Sequence, residues 1–225
     1  MYLYNEELID AIRAEIPQFL CGKRLSHTYA VEKECRALGA IFSAHPTLYR
    51  PEDVFRLRIA ALLHDITKEC SLAEHEMLCR KYRIALTDEE RMAPKVLHAK
   101  TAPPLARDSI NSKLGVCAVD DAICDAIRTH TTGAAQMSLT GKLLYLADYI
   151  EESRTFEDCI TLRNTFYGAL DDARSTPGAL CAHLDRVLLL SFDMTIRDLL
   201  SSGAPIDPST TAARNAILYA STVFK

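Results

Sequence analysis

The chain has 225 residues, of which 48% are hydrophobic and 25% are charged, and its formal net charge is −4 at pH 7. These values are ordinary for a folded globular protein, and a chain of this length can bury a substantial core, so a disordered chain is not expected. The sequence contains no large block of Lys and Arg, which argues against a surface for duplex nucleic acid. A few local cations could still hold a small polyanion.

The sequence also shows no sign of a membrane or secreted protein. Its apolar runs are far shorter than the roughly 20 residues that a membrane-spanning helix needs. Residues 1–7 contain no basic region followed by an apolar stretch, so we expect a cytoplasmic protein. The eight cysteines form no CxxC pair. We therefore expect them to be small buried hydrophobes and not the ligands of a thiolate zinc site.

Helical periodicity runs through nearly the whole chain. It predicts a short amphipathic helix over residues 5–15 and a second helix over residues 25–42. A third helix is predicted to begin at Pro51, because proline favours the first helical position and two acids follow it. Capping boxes at Ser71 and Thr87 predict the starts of two further helices.

Prolines interrupt the middle of the chain, and the helical pattern then resumes. Pro94, Pro103 and Pro104 predict that residues 96–112 form a broken helix, or a loop followed by a helix. Later helices are predicted over residues 120–130, 138–152, 158–172, 177–202 and 207–220. Strand signals are weak everywhere. We predict an all-α fold in which residues 1–225 form one domain, with a core from about residue 24 to 215 after the short N-terminal helix.

Two apolar stretches of the sequence carry ionisable side chains. His64 and Asp65 end an apolar run, and an imidazole beside a carboxylate suits a divalent metal ion. Taken alone, such a pair is more often a core histidine beside a capping aspartate. Asp148 lies within a strongly apolar helix, where a charge is costly unless it pairs, for example with Arg154, or binds metal. We favour a metal ligand, because unpaired histidines point to the same core.

Three further histidines are candidates for the same site. His27 lies on the apolar stripe of its helix, and Arg24, one turn earlier, could clamp a phosphate. His130 ends the stripe of its helix, and His98 precedes the proline-rich stretch. For these last two, a ligand of a second metal ion and a phosphate contact are equally good interpretations. A buried neutral histidine is the commoner outcome for any single His. His75 and His183 have no obvious convergent partner, and His45 lies in a predicted loop.

The order His27, His64-Asp65, Asp148 resembles the H…HD…D signature of the HD phosphohydrolase superfamily. Longer stretches resemble the bacterial YqeK family, namely RLSHT at 24–28, AALLHDITK at 60–68, IRTHTTG at 127–133 and YLADYIE at 145–151 followed by Arg154. The resemblance runs from about residue 24 to 215, and the HTTG and ADYIE stretches are far more specific than the HD dipeptide. Departures from the family pattern are Ala99 in place of a usual glycine, Pro103-Pro104, and a longer stretch over residues 42–54.

The resemblance implies an HD-domain helical bundle and a phosphohydrolase that cleaves diadenosine tetraphosphate symmetrically into two ADP. It implies one or two iron ions, with manganese or zinc as alternatives. The implied metal ligands are His27, His64, Asp65 and Asp148. The implied nucleotide contacts come from Arg24, Lys68, His98, His130, Thr131 and Arg154. Catalytic roles would fall to Asp65, which would bridge two ions if His98 and His130 hold a second one, and to Lys68, His98 and His130.

Two other functions stay open. The same metal site could serve an HD nucleotidase that acts on deoxynucleoside monophosphates or cyclic nucleotides. The chain could also be a nucleotide-binding sensor without turnover, although the complete set of ligands argues against that class. The expected partner is a small dinucleoside polyphosphate or ADP, with neither duplex nucleic acid nor a membrane. A homodimer is among the assemblies that the sequence leaves open.

Overall fold

A computed structural model describes residues 4–223, with side chains described through residue 220. Within this range there are twelve α-helices and no strand, which confirms the predicted all-α fold. In chain order the helices are α1 (Glu6–Glu15), α2 (Gly22–Ser43), α3 (Pro51–Leu63), α4 (Leu72–Tyr82), α5 (Asp88–Met92), α6 (His98–Leu114), α7 (Asp121–Thr129), α8 (Leu139–Ile150), α9 (Glu157–Gly168), α10 (Leu170–Ala173), α11 (Pro177–Ser201) and α12 (Pro208–Val223).

Helices begin where the capping residues predict. The Ser71 hydroxyl accepts a hydrogen bond from the Glu74 backbone N–H, and the Glu74 carboxylate accepts one from the Ser71 N–H at 2.7 Å. The box at Thr87 forms in the same way at the start of α5. Asp120 caps α7, because its carboxylate accepts from the N–H of Ile123 at 3.0 Å. These side chains satisfy backbone donors that have no partner inside the helix.

The prediction of a broken segment over residues 96–112 is wrong. Helix α6 continues from His98 to Leu114 and contains both Pro103 and Pro104. A proline inside a helix costs about 3 kcal/mol, so the continuity of α6 depends on tertiary packing. Its apolar side packs against α4 and α7, where Ala102 and Ala106 are fully buried. The single helix predicted over residues 158–172 is likewise divided into α9 and α10.

Helix α8 lies at the centre of the core. It packs against α2, α3, α7, α9 and α11, and its Leu143, Leu144 and Tyr145 are fully buried. A helix with neighbours on most sides must be apolar on most sides, which explains the strongly apolar sequence of this segment. Helices α2, α3 and α8 also pack on one another, and α7 packs on α3 and α8. Residues at or near the ends of α3, α7 and α8 are therefore brought close together.

The turn after α7 requires a glycine. Gly133 has φ = +71°, and a Cβ atom at this position would lie 2.7 Å from Phe192 Cζ and 2.8 Å from Ala213 Cβ. Helices α11 and α12, which carry these two neighbours, thus press directly on the turn. Only a residue without a side chain fits both the backbone conformation and the space.

The cysteines meet the expectation only in part. All eight are free, and Cys35, Cys79, Cys124 and Cys159 are buried, whereas Cys21 and Cys117 are exposed. Among the helices within residues 4–223, none combines the length and the apolar character needed to cross a membrane.

A buried network of ion pairs fastens α1 to α2 and α3. Glu32 on α2 is 3% exposed and accepts hydrogen bonds from Arg58 Nε and Arg13 Nη2, each at 2.5 Å. Arg58 on α3 is 4% exposed and also contacts Glu6 at 2.6 Å. Because Glu32 and Arg58 are both out of water, the charge of each is tolerated only in the presence of the other.

We expect Glu32→Ala to lower the free energy of unfolding by about 3–5 kcal/mol, because it leaves the buried Arg58 charge largely uncompensated. Urea unfolding monitored by circular dichroism measures this change. Lys33→Ala is the matched control: the neighbouring Lys33 is 70% exposed in a surface pair with Glu152, and its removal should have no measurable effect. Equal effects of the two substitutions would contradict the structural role of Glu32.

Candidate metal centre

The residues that the sequence singles out come together where α2, α3, α6, α7 and α8 meet. His27 lies on α2, His64 and Asp65 directly follow α3, His98 begins α6, His130 follows α7, and Asp148 lies near the end of α8. The four imidazoles form a continuous row. Ring centroids are 5.9 Å apart for His27 and His64, 4.9 Å for His64 and His130, and 5.0 Å for His98 and His130.

Three of the histidines are oriented by the same local interaction. His64, His98 and His130 each place Nδ1 at 2.6–2.8 Å from the backbone carbonyl three residues earlier. A carbonyl can only accept, so Nδ1 must carry the proton in each ring. In the neutral imidazole Nε2 is then left with a lone pair. The three Nε2 atoms therefore reach the interior as electron-pair donors.

These lone pairs converge on a buried carboxylate. Oδ1 of Asp65 lies 3.3 Å from His98 Nε2 and 3.7 Å from His130 Nε2, and Oδ2 lies 3.5 Å from His64 Nε2. The two nitrogens of His98 and His130 are only 3.1 Å apart. Asp65 is 2% exposed and His64 and His130 are fully buried. Acceptor atoms packed this closely form a cluster that can hold a cation.

The protonation states of these histidines and carboxylates also suit a metal ion. Burial lowers the pKa of His64 to about 4 and holds that of His98 well below its usual value, so both rings are neutral at pH 7. Burial would raise the pKa of Asp65 and Asp148, but the neighbouring histidines and basic side chains outweigh it and hold both carboxyl pKa values well below their usual range. Neutral imidazoles and ionised carboxylates are the forms in which these groups bind metal.

The donor set fits a metal ion. His64 Nε2 and Asp65 Oδ1 are buried without a hydrogen-bond partner, an arrangement that costs free energy unless a ligand satisfies it. Three sets of donor atoms, each within 4.8 Å of one another, lie here: His27, His64 and Asp65; His64, His130 and Asp148; and Asp65, His98 and His130. All six residues that the sequence proposed as first or second metal ligands are members.

His27 differs from the other three histidines because both of its nitrogens face carboxylates. Nε2 lies 2.9 Å from Asp148 Oδ1, and Nδ1 lies 3.1 Å from Glu151 Oε1. Burial lowers the pKa of His27, but the hydrogen bonds to Asp148 and Glu151 outweigh it and raise that pKa. A metal ion at Nε2 would take the place of the proton shared with Asp148.

Basic and hydroxyl side chains surround the centre. Arg24 Nη1 contacts Asp65 Oδ2 at 2.9 Å, and Arg154 Nη2 contacts Asp148 Oδ1 at 2.7 Å, so the ion pair considered from the sequence for Asp148 is present. Lys68 Nζ lies 3.0 Å from His98 Nε2, and the Thr131 hydroxyl lies 3.0 Å from the same nitrogen. The structure thus brings together every site residue that the sequence named.

Two residues that the sequence did not single out, Glu151 and Arg163, hold the candidate ligands and the end of α8 in place. Glu151 is fully buried and accepts from the backbone N–H of Ser153 at 2.7 Å as well as contacting His27. Arg163 donates to the carbonyls of Ile150 and Arg154, which holds the end of α8 and the turn after it. The detectable signal was a second acid three residues after Asp148, still within the apolar stretch.

His75 also proves to have partners. Its Nδ1 lies 2.9 Å from the Thr101 hydroxyl, which lies 2.9 Å from the Thr67 hydroxyl, which in turn donates to the His98 carbonyl at 3.3 Å. These buried groups connect α4 and α6 to the segment that follows Asp65. His75 is thus hydrogen-bonded, but it belongs to none of the three donor sets at the candidate metal centre.

Comparisons with known proteins agree with this geometry. The chain is 28% identical over 199 residues to the symmetrical bis(5'-nucleosyl)-tetraphosphatase of Halalkalibacterium halodurans, covering 88% of this chain and 91% of that protein. It is 27% identical over 208 residues to the protein of the same name in Bacillus subtilis, covering 92% of this chain and 95% of that one.

A solved structure has the same fold. The crystal structure of a predicted HD superfamily hydrolase involved in NAD metabolism from Clostridium acetobutylicum matches with a TM-score of 0.74 at 29% identity, covering 97% of this chain and 98% of that chain. The model of the family described as HD domain matches residues 24–153. This match spans more than half of the chain and includes His27, the His64-Asp65 pair and Asp148, so the chain belongs to the HD domain family.

Proposed function

We propose that this protein hydrolyses dinucleoside polyphosphates and cuts diadenosine tetraphosphate symmetrically into two ADP. The observation that carries the proposal is the pair of unpartnered buried atoms, His64 Nε2 and Asp65 Oδ1, at the centre of a cluster ringed by Arg24, Lys68 and Arg154. Such a site can hold a metal ion and phosphate oxygens side by side. Three relatives whose names state this activity support the choice of substrate.

The first metal ion would be held by His27, His64, Asp65 and Asp148. A second ion would be held by Asp65, His98 and His130, because Asp65 is shared by two of the three donor sets. Imidazole and carboxylate donors suit iron, manganese and zinc, and we propose iron, the metal implied by the resemblance. A metal ion bound here supplies Lewis acidity and lowers the pKa of water, so that a nucleophile forms near neutral pH.

The basic side chains would bind and orient the polyphosphate. Lys68, Arg24 and Arg154 each have a side chain that is 28–29% exposed, so they reach from the buried carboxylates to the surface. They can neutralise the charge that develops on the phosphate oxygens during attack on an inner phosphorus. The Thr131 hydroxyl, 3.0 Å from Nε2 of both His98 and His130, would donate to a phosphate oxygen.

Glu151 would act as a positioning residue. A histidine that binds metal usually donates its other N–H to a carboxylate or carbonyl, which sets the ring orientation. Glu151 Oε1 provides this acceptor for His27 Nδ1, and the Ser153 hydroxyl donates to the same oxygen at 2.6 Å. His64, His98 and His130 use backbone carbonyls for the same purpose.

Asp65→Ala should abolish both the bound metal and the turnover, because Asp65 contributes to two of the three donor sets. Elemental analysis of the purified variant and a hydrolysis assay measure the two effects. Asp171→Ala is the control, since this aspartate is 87% exposed in a surface pair with Arg174. Hydrolysis by Asp65→Ala at the wild-type rate would refute the assignment of the centre.

Glu151→Ala should weaken metal binding by about 10–100-fold while the ligands themselves remain, because the orientation of His27 is lost. Competition with a metal chelator gives the affinity. The adjacent glutamate provides a matched control: Glu152 is 69% exposed, whereas Glu151 is fully buried, so Glu152→Ala should bind metal as the wild type does. A positioning role would be ruled out by equal affinities in the two variants.

The reaction itself is tested with protein purified anaerobically, loaded with iron and incubated with diadenosine tetraphosphate. Chromatography should show ADP as the only nucleotide product, since attack at an inner phosphorus next to the central bridging oxygen divides the molecule equally. AMP together with ATP would show cleavage of an outer phosphoanhydride bond and refute symmetric cleavage. Absence of products from the metal-loaded protein would favour the monophosphate nucleotidase, and after it the sensor.

A further inference from the structure

Two clefts border on the candidate metal centre. The larger cleft, of about 480 Å³, is lined by Lys68, Thr131 and Asp148. The smaller cleft, of about 290 Å³, is lined by Arg24, His27 and Glu151. Arg154 and Phe156 line both clefts and thus stand between them. A substrate that extends in two directions from the metal centre would pass this pair of residues.

Phe156 is unusual both in its exposure and in its position. The residue is 69% exposed although it is a large aromatic. It is also the N-cap of α9, where its side chain forms no capping hydrogen bond. Ser, Thr, Asp and Asn stabilise helices at this position by about 1 kcal/mol relative to apolar residues. Phe156 therefore serves neither the core nor the start of the helix, and its ring face is free to contact a ligand.

The larger cleft is lined by side chains of both charges. Lys68 and Arg154 contact the candidate metal ligands His98 and Asp148, whereas Glu157, Asp158 and Asp198 line the cleft as exposed carboxylates. Carboxylates repel phosphate but accept hydrogen bonds from ribose hydroxyls and from the amino group of a base. A nucleotide would therefore bind with its phosphates against Lys68 and Arg154 and with its nucleoside against the exposed carboxylates and Phe156.

We infer that the larger cleft binds one nucleoside diphosphate half of the substrate and that Phe156 stacks on its base. This inference rests on the proposed function and deepens it, because it names a residue that determines binding of the nucleoside. Aromatic side chains stack on nucleobases with little sequence preference, and the amino-bearing bases gain further hydrogen bonds from the three carboxylates. The smaller cleft is left for the other half, so the two halves are held by different contacts.

The test compares the binding of ADP with that of pyrophosphate, which has the phosphates but no nucleoside. Dissociation constants are measured by titration calorimetry on the manganese-loaded protein. Phe156→Ala should weaken ADP binding by about tenfold, the loss typical of one stacked base, and leave pyrophosphate binding unchanged. Phe156→Trp should restore ADP binding, because a larger ring offers the same stacking face.

Tyr219→Ala is the matched control, since Tyr219 is an aromatic residue that is 70% exposed on α12, away from both clefts. It should bind both ligands as the wild type does. The inference is overturned if Phe156→Ala weakens ADP and pyrophosphate binding equally, if it weakens neither, or if the wild type binds ADP no more tightly than pyrophosphate.

The binding test is independent of turnover, so it can be told apart from a failure of the proposed function. In one outcome, the wild-type protein leaves diadenosine tetraphosphate intact and only the Phe156→Ala variant loses affinity for ADP. This outcome would refute the proposed reaction and support the nucleoside cleft. In the opposite outcome, the wild-type protein forms two ADP, and the wild type and Phe156→Ala bind ADP with equal affinity. This outcome would support the reaction and refute the role of Phe156.

Discussion

The centre depends on one repeated interaction, the hydrogen bond from a histidine Nδ1–H to the backbone carbonyl three residues earlier. His64 and His130 form it directly after the ends of α3 and α7, and His98 forms it at the start of α6. In each case the bond turns the Nε2 lone pair toward Asp65. The orientation of these three candidate ligands is therefore set by the backbone and does not depend on contacts between long side chains.

The molecule treats buried charge in two different ways. Glu32 and Arg58 are both buried and compensate each other, so that pair is complete without any ligand. At the metal centre, Asp65 Oδ1 and His64 Nε2 are just as buried but have no hydrogen-bond partner. Buried polar atoms without a hydrogen-bond partner lower the stability of the fold. In return, the protein has electron-pair donors already in place for a ligand. The complete Glu32–Arg58 pair therefore indicates a structural role, and the unpartnered atoms of His64 and Asp65 indicate a binding role.

The departures from the family pattern lie away from the two clefts. Pro103 and Pro104 line a separate groove of about 730 Å³ together with Arg107 and Arg128, and Ala99 is buried within α6. The proline-containing part of α6 therefore shapes another surface. The cleft that borders on the candidate metal ligands, by contrast, is lined by both basic and acidic side chains. These charges, and not the proline-containing helix, are the feature that would orient a nucleotide.

The sequence by itself determined the helical class, most helix starts and the identity of the central residues, because caps and apolar periodicity act locally and the His and Asp residues stand out in apolar stretches. It could not determine the continuity of α6, since packing against α4 and α7 offsets the local effect of Pro103 and Pro104. Nor could it show that Glu151 supports His27 across 124 positions of the chain. Such contacts, like the position of Phe156 between two clefts, arise only when distant helices pack together.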